Sequence, residues 1–132
     1  MPCVYLLAID PPYNGCSHYI GYSKHTHPAI RLAQHQAGRG GEFTKKAVAA
    51  KSKLSLIMHW SGRYADEVFE RFIKDDRTRK EWCPHCGINT RPIPSLADRP
   101  NRSRADLIKE MAERKRQRVE RDLRCTEVKL WF

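Results

Sequence analysis

The sequence has no long apolar run. Its longest nearly pure one, Val4 to Ile9, is far below the roughly 18–20 residues that span a bilayer, so no membrane association is expected. A secretory leader is missing as well. Met1-Pro2-Cys3 leads straight into a strand-like segment, without the basic start, apolar stretch and small-residue cleavage site of a signal, and an intracellular protein of the cytoplasm, nucleoid or nucleus is expected. The five cysteines are odd in number, and only Cys83 and Cys86 lie close together, which argues against a disulfide scaffold and for half a metal site. Acidic residues are scarce beside basic ones, 15 against 25, for a formal charge of +10. A surplus of this size points to a polyanion, because neutralising phosphates releases condensed counterions, and nucleic acid is the first partner to expect.

What is present suffices for one small core. The chain has 132 residues, 40% hydrophobic and 30% charged, the size of a single domain with an appendage. Composition breaks at Cys83, after which Pro84, Pro92, Pro94 and Pro100 discourage regular structure until about Asn101. The expected division is a folded domain over 1–82 and a knuckle, linker and basic helical tail over 83–132. The first part carries 13 basic and 8 acidic residues and the second 12 and 7, so the shorter tail is the more densely positive.

In the first part, Cys3–Ile9 reads as a strand ended by the turn-rich Asp10–Gly15, and His18–Ser23 as its antiparallel partner across a longish loop. A helix is expected over 27–37, with Thr26 as N-cap, Pro28 in the first turn, Ile30, Ala33 and Ala37 on one face, and Gly38 as its stop. Gly38–Lys46 reads as a flexible basic loop able to approach a phosphate, followed by a helical turn over 47–51. Leu54–Trp60 is a third strand, and Tyr64–Lys80 a helix that turns Val68, Phe69, Phe72 and Ile73 inward. In the tail, Ser103 caps a long helix to Arg124 with a sparse apolar stripe of Leu107, Ile108, Met111, Ala112, Val119 and Leu123. That helix is either a solvated one laced with pairs such as Glu110–Arg114 or a direct contact to nucleic acid through residues such as Arg114 and Arg118.

Several polar residues carry chemistry. Arg31 and His35 stand four apart on one helix face, a fixed cation for a phosphate and a group that exchanges protons near neutral pH. Glu70 is either a surface carboxylate paired with Lys74 or a metal ligand. Tyr5 and Tyr19 lie one on each strand of the hairpin. Cys3-Val4-Tyr5, then Tyr19-Ile20-Gly21, Arg31-x-x-x-His35, the Gly-rich loop ending Phe43-Thr44-Lys45-Lys46, a third strand and Glu70-x-x-Ile73-Lys74 form a succession that resembles the GIY-YIG nuclease domain over residues 3–82. The second tripeptide is intact, whereas Cys3-Val4 replaces the usual Gly-Ile of the first. Within the family the arrangement is most similar to the structure-specific endonucleases that cut branched DNA.

The resemblance implies an α+β fold, a small three-stranded antiparallel sheet flanked by helices, and a DNA phosphodiesterase that uses one divalent metal. Glu70 would hold Mg²⁺ or Mn²⁺, with waters filling the remaining positions. Arg31 would clamp the scissile phosphate, and Tyr5, Tyr19 and His35 would surround the attacking water, with the general base open among these three. Tyr22 stands where family members often carry a lysine, leaving that contact to Lys24, Lys45 or Lys46, or missing. Arg39, Lys45 and Lys46 are the expected nucleic-acid contacts of the loop. Two other functions fit the same residues: a non-catalytic nucleic-acid-binding protein on a decayed nuclease scaffold, and a catalytic subunit that needs a partner protein or a second copy of itself.

Trp82-Cys83-Pro84-His85-Cys86-Gly87 has the form of a zinc knuckle, in which two thiolates grip one ion and the glycine permits the turn behind them. Zinc needs four ligands, and Cys125, His85, His59 and Cys3 are the candidates to complete the set. The tail would then bind nucleic acid through phosphates, which supplies affinity and no base sequence.

Overall fold

A computed structural model describes the backbone of residues 1–130 and the side chains of residues 1–124. It forms two compact units, Met1–Pro100 and a second beginning at Asn101. The first unit is α+β, with strands β1 (Cys3–Tyr13), β2 (Cys16–Ser23) and β3 (Lys53–Ser61) and helices α1 (Pro28–Gln36), α2 (Glu42–Ala49), α3 (Glu67–Asp75) and α4 (Arg79–Trp82). The strands make one antiparallel sheet in the order β2-β1-β3.

Central β1 is apolar on both sides because both of its faces are covered. Val4 and Leu6 pack with Ile20, Trp60, Phe69, Ile73, Trp82 and Cys83, so α3, α4 and the knuckle lie on one face. Cys3, Tyr5 and Leu7 pack with Leu32 of α1, and Ile9 and Leu54 with Ala47 of α2, on the other. The alternation follows from the period of two along a strand, and it sends every second residue of β2 to a different set of neighbours.

The hairpin is tighter than its sequence suggests. β1 runs on through Pro11 and Pro12 to Tyr13, which pairs with Cys16 across a two-residue turn at Asn14 (φ 53°) and Gly15 (φ 80°), the signs of a type I′ turn. The two prolines are tolerated because the β1–β2 pairing skips from Ala8–His18 to Tyr13–Cys16, leaving no ladder bond for them to break.

Four further expectations are corrected. His27, not Thr26, caps α1 by accepting from the Ala29 N–H. The apolar face expected of α1 points outward, with Ile30 57% exposed, while His35 is fully buried. Only Gly38–Gly41 is loop, since α2 begins at Glu42 and takes Phe43, Thr44, Lys45 and Lys46 into a helix. The single helix expected over 64–80 is two. Asp66 caps α3 by accepting from the Phe69 N–H, and Asp76 ends it by accepting from the Thr78 N–H and the Trp82 indole N–H. The inward residues of α3 are as expected, with Val68, Phe69 and Ile73 buried and Phe72 packed against their cluster.

The first compact unit extends to Pro100, past the composition break at Cys83. The proline-rich segment is strapped to the sheet: the Trp60 indole N–H donates to the Pro94 carbonyl, Leu96 packs on the core, and Arg99 forms a two-point ion pair with Asp66 at 2.7 Å and 3.0 Å. The second unit contains α5 (Arg104–Leu130), capped by the Ser103 hydroxyl, which accepts from the Asp106 N–H. Arg114 pairs with Glu110 at 2.6 Å, one turn away, and Arg116 with Glu113. No helix among the described residues is long and apolar enough to cross a membrane.

Candidate functional site

On the α1–α2 face of the sheet, three elements bring their polar residues to one place. The Tyr5 hydroxyl on β1 lies 2.8 Å from His35 Nε2 on α1, and His35 Nδ1 lies 2.8 Å from Thr44 Oγ1 on α2. Thr44 Oγ1 donates its one proton to the Gly41 carbonyl at 3.1 Å. It therefore accepts from His35 Nδ1–H, and the bare Nε2 accepts from Tyr5. The chain of donors runs from Tyr5 through His35 and Thr44 to a backbone carbonyl.

Two glycines make room for it. A Cβ on Gly21 would stand 2.3 Å from the Tyr5 ring, and one on Gly40 would stand 1.9 Å from His35 Nδ1. The glycine of Tyr19-Ile20-Gly21 thus serves the placement of Tyr5, and the close approach that Gly40 permits is taken by His35. The Tyr19 ring closes the cluster, edge-on to His35 at 5.3 Å and stacked on Phe43 at 6.3 Å.

Burial dominates the electrostatics. It pushes the Tyr5 hydroxyl up to about 12, with Tyr19 adding to the rise and the Arg31 guanidinium opposing it. It lowers His35 to about 4, a fall that Arg31 reinforces. Tyr19 is raised by burial and by the Glu70 carboxylate, and drawn down by Arg31. Arg31 thus acts on both tyrosines and the histidine, while its Nη1 donates to Gln34 Oε1 at 2.7 Å. Burial raises Glu70 too, against the pull of Lys74, which pairs with it at 3.6 Å. Glu70 is 19% exposed at its side chain and offers a single carboxylate, a hard oxygen donor of the kind Mg²⁺ takes, with most of the shell left to water or phosphate. Arg39, Lys45 and Lys46 are exposed around the Gly38–Gly41 loop and on α2, and Arg118 is exposed on α5.

The opposite face holds a second cluster. His18 Nε2 lies 3.3 Å from Cys83 Sγ and 3.4 Å from Cys86 Sγ, and these three donor atoms, all within 4.8 Å of one another, could hold a metal ion. It is the one group of at least three His, Cys or carboxylate donors among the described residues. Cys83 is fully buried, and the turn after it is closed by Cys86 and Gly87 N–H groups on the Cys83 carbonyl.

The third donor is therefore none of the residues expected. The Cys3 thiol donates to the Thr26 carbonyl on the other face. His59 is exposed with its ring toward His27, His85 is exposed in the knuckle, and the Cys125 side chain lies outside the described residues. His18 and Thr44 are the members of the two clusters that sequence reasoning missed. His18 carried one usable signal, its place beside Tyr19 on a strand, which puts it on the reverse face. Comparison of the chain with protein families, with curated proteins and with solved structures gives no match.

Proposed function

We propose that the first unit is a divalent-metal-dependent endonuclease of the GIY-YIG kind, hydrolysing phosphodiester bonds in DNA. One observation supports the reading: the Tyr5 hydroxyl is hydrogen-bonded to His35, the Tyr19 ring stands edge-on to the same imidazole, Arg31 is close enough to act on all three, and Glu70 on α3 is close enough to act on Tyr19. Hydrolysis of a phosphodiester needs an activated water, a cation on the phosphate and help for the departing oxygen; side chains of the site serve the first two, and the divalent ion that Glu70 would hold would stabilise the departing alkoxide until water protonates it.

Arg31 clamps the scissile phosphate and stabilises the charge that grows on it. Tyr5 and His35 work as a relay. The attacking water gives its proton to the Tyr5 oxygen as Tyr5 passes its own to His35 Nε2, so that no free phenolate has to exist at a hydroxyl held near 12. Thr44 keeps the imidazole in the tautomer that can accept. Tyr19 orients the water beside Glu70, and the Mg²⁺ or Mn²⁺ that the Glu70 carboxylate would hold supplies Lewis acidity to the phosphate. Arg39, Lys45 and Lys46 line the approach for the DNA backbone, and Arg114 and Arg118 on α5 add phosphate contacts. The second cluster would hold Zn²⁺, the metal that suits two thiolates and an imidazole.

The test is cleavage of matched linear, flap and four-way-junction DNA with Mg²⁺ and with EDTA, beside Glu70→Ala. Metal-dependent cutting that disappears in the variant while DNA binding persists is the expected result. Cutting that survives Glu70→Ala overturns the metal assignment. DNA binding with no cutting by the wild type, alone or with added cell extract, overturns the nuclease reading in favour of a binding module.

A further inference from the structure

The second cluster has a geometry that hydrogen bonding does not account for. One imidazole nitrogen carries at most one proton, yet His18 Nε2 is almost equidistant from two sulfurs, at 3.3 Å and 3.4 Å. The other ring nitrogen is engaged with Ser17 Oγ at 3.0 Å, the outer contact that commonly orients a ligating histidine. In a tetrahedral site with Zn–N about 2.0–2.1 Å and Zn–S about 2.3 Å, the N···S edge is about 3.6 Å. The three atoms are thus spaced as neighbours around one ion.

A structural zinc takes four protein ligands. Cys16 stands two residues before His18 on β2, on the same face of the strand. The two line one cleft of about 390 Å³ together with Lys74, Arg79 and Lys80. Arg79, which lines this cleft beside Cys16 and His18, is itself buried in part. The Cys16 thiol is exposed and free, and it stands outside the three donors that lie within 4.8 Å of one another, so its side chain has to turn toward them to complete the set. His85 sits inside the loop between the two knuckle cysteines and points to solvent.

We propose that Cys16-x-His18 on β2 and Cys83-x-x-Cys86 after α4 together form a three-sulfur, one-nitrogen site for a single Zn²⁺, which pins the hairpin to the knuckle. This rests on the reading of the ion as zinc. Its consequence for the first cluster is positional. Tyr19 follows His18 directly, and Glu70 lies on α3, which packs against β2, so the ion fixes the strand that presents Tyr19 relative to the segment that follows α3 and α4.

The test uses the full chain, with zinc measured by elemental analysis and Co²⁺ replacing it as a spectroscopic probe. Wild type should hold about one zinc per chain. Cys16→Ser should bind it at least about tenfold more weakly and lose about one third of the thiolate-to-Co²⁺ charge-transfer intensity, three sulfurs becoming two. His18→Cys should keep zinc and gain intensity, which guards against a loss caused by misfolding in the other variant. A Cys16→Ser protein equal to wild type in affinity and spectrum overturns the fourth ligand while leaving zinc in place. Less than about 0.2 zinc per wild-type chain overturns the zinc reading itself, and neither result depends on whether the protein cuts DNA.

Discussion

Tyr19 and His18 are neighbours on β2 and belong to clusters built on different principles. The cluster of Tyr5, His35 and Thr44 is a complete polar network: each donor has an acceptor, the chain ends on a backbone carbonyl, and the residues are buried. Burial holds Tyr5 protonated and His35 neutral, the states that the hydrogen bond between them requires. The cluster of His18, Cys83 and Cys86 turns two sulfurs and one nitrogen on a single point, and soft donors converging in that way satisfy a cation better than they satisfy one another. The hydrogen-bonded chain of Tyr5, His35 and Thr44 and the converging donors of His18, Cys83 and Cys86 thus lie on opposite faces of the sheet.

If that contrast is right, damage to one cluster should leave the other's signature intact. The largest effect is expected for Arg31→Ala, which should cost on the order of 10² or more in cleavage rate with zinc content unchanged; a loss under about tenfold would make Arg31 an ordinary surface charge. Tyr5→Phe and His35→Gln should each cost about 10²-fold, and the double variant should be scarcely worse than either, because a relay fails once whichever member is removed. Full additivity of the two losses in single-turnover assays would show that they act separately. Cys83→Ser should abolish zinc binding and lower Tm by about 10 °C or more, while any cleavage it retains should keep the wild-type dependence on Mg²⁺.

A smaller effect sharpens the burial of His35. Folded, it gives up its proton at about 4 and unfolded at 6.5, so between these values the unfolded chain binds more protons and stability rises with pH. As pH falls from about 6.5 toward 4 the protein should lose on the order of 3 kcal/mol from this residue alone, read from urea melts, and His35→Gln should flatten that decline. The smallest change is expected on α5, where Arg118→Ala should lower the slope of log binding constant against log salt by about 1 without altering the preferred DNA structure.

Much of the first unit was legible from local chemistry. The three strands, the helices α1 and α3 and the inward face of α3, and in the second unit the Ser103 cap of α5, follow from propensity, periodicity and capping, which act over a few residues; α2 and the break between α3 and α4 do not. The misses share a cause. Asp76 reads as one more charged residue of a helix until the Trp82 indole and the Thr78 amide claim its oxygens. Ile30 and Ala33 look like the buried face of α1, yet the space beneath that helix is filled by Tyr5 and His35, whose hydrogen bond turns the helix the other way. Pro94 to Arg99 looks like a linker until Trp60 and Asp66 bind it.

The sequence by itself determined the net charge, the three strands and the helices α1 and α5, the closeness of Cys83 to Cys86, and which residues were chemically equipped to act. Only the tertiary structure decided that Thr44 fixes the His35 tautomer and that His18 is the nitrogen facing the two sulfurs. The second depends on a contact across 65 residues, His18 to Cys83, and the first on how α1 and α2 pack together over Tyr5, itself 30 residues from His35. Such contacts are set by how the two faces of a sheet are covered, and no window of local sequence contains that information.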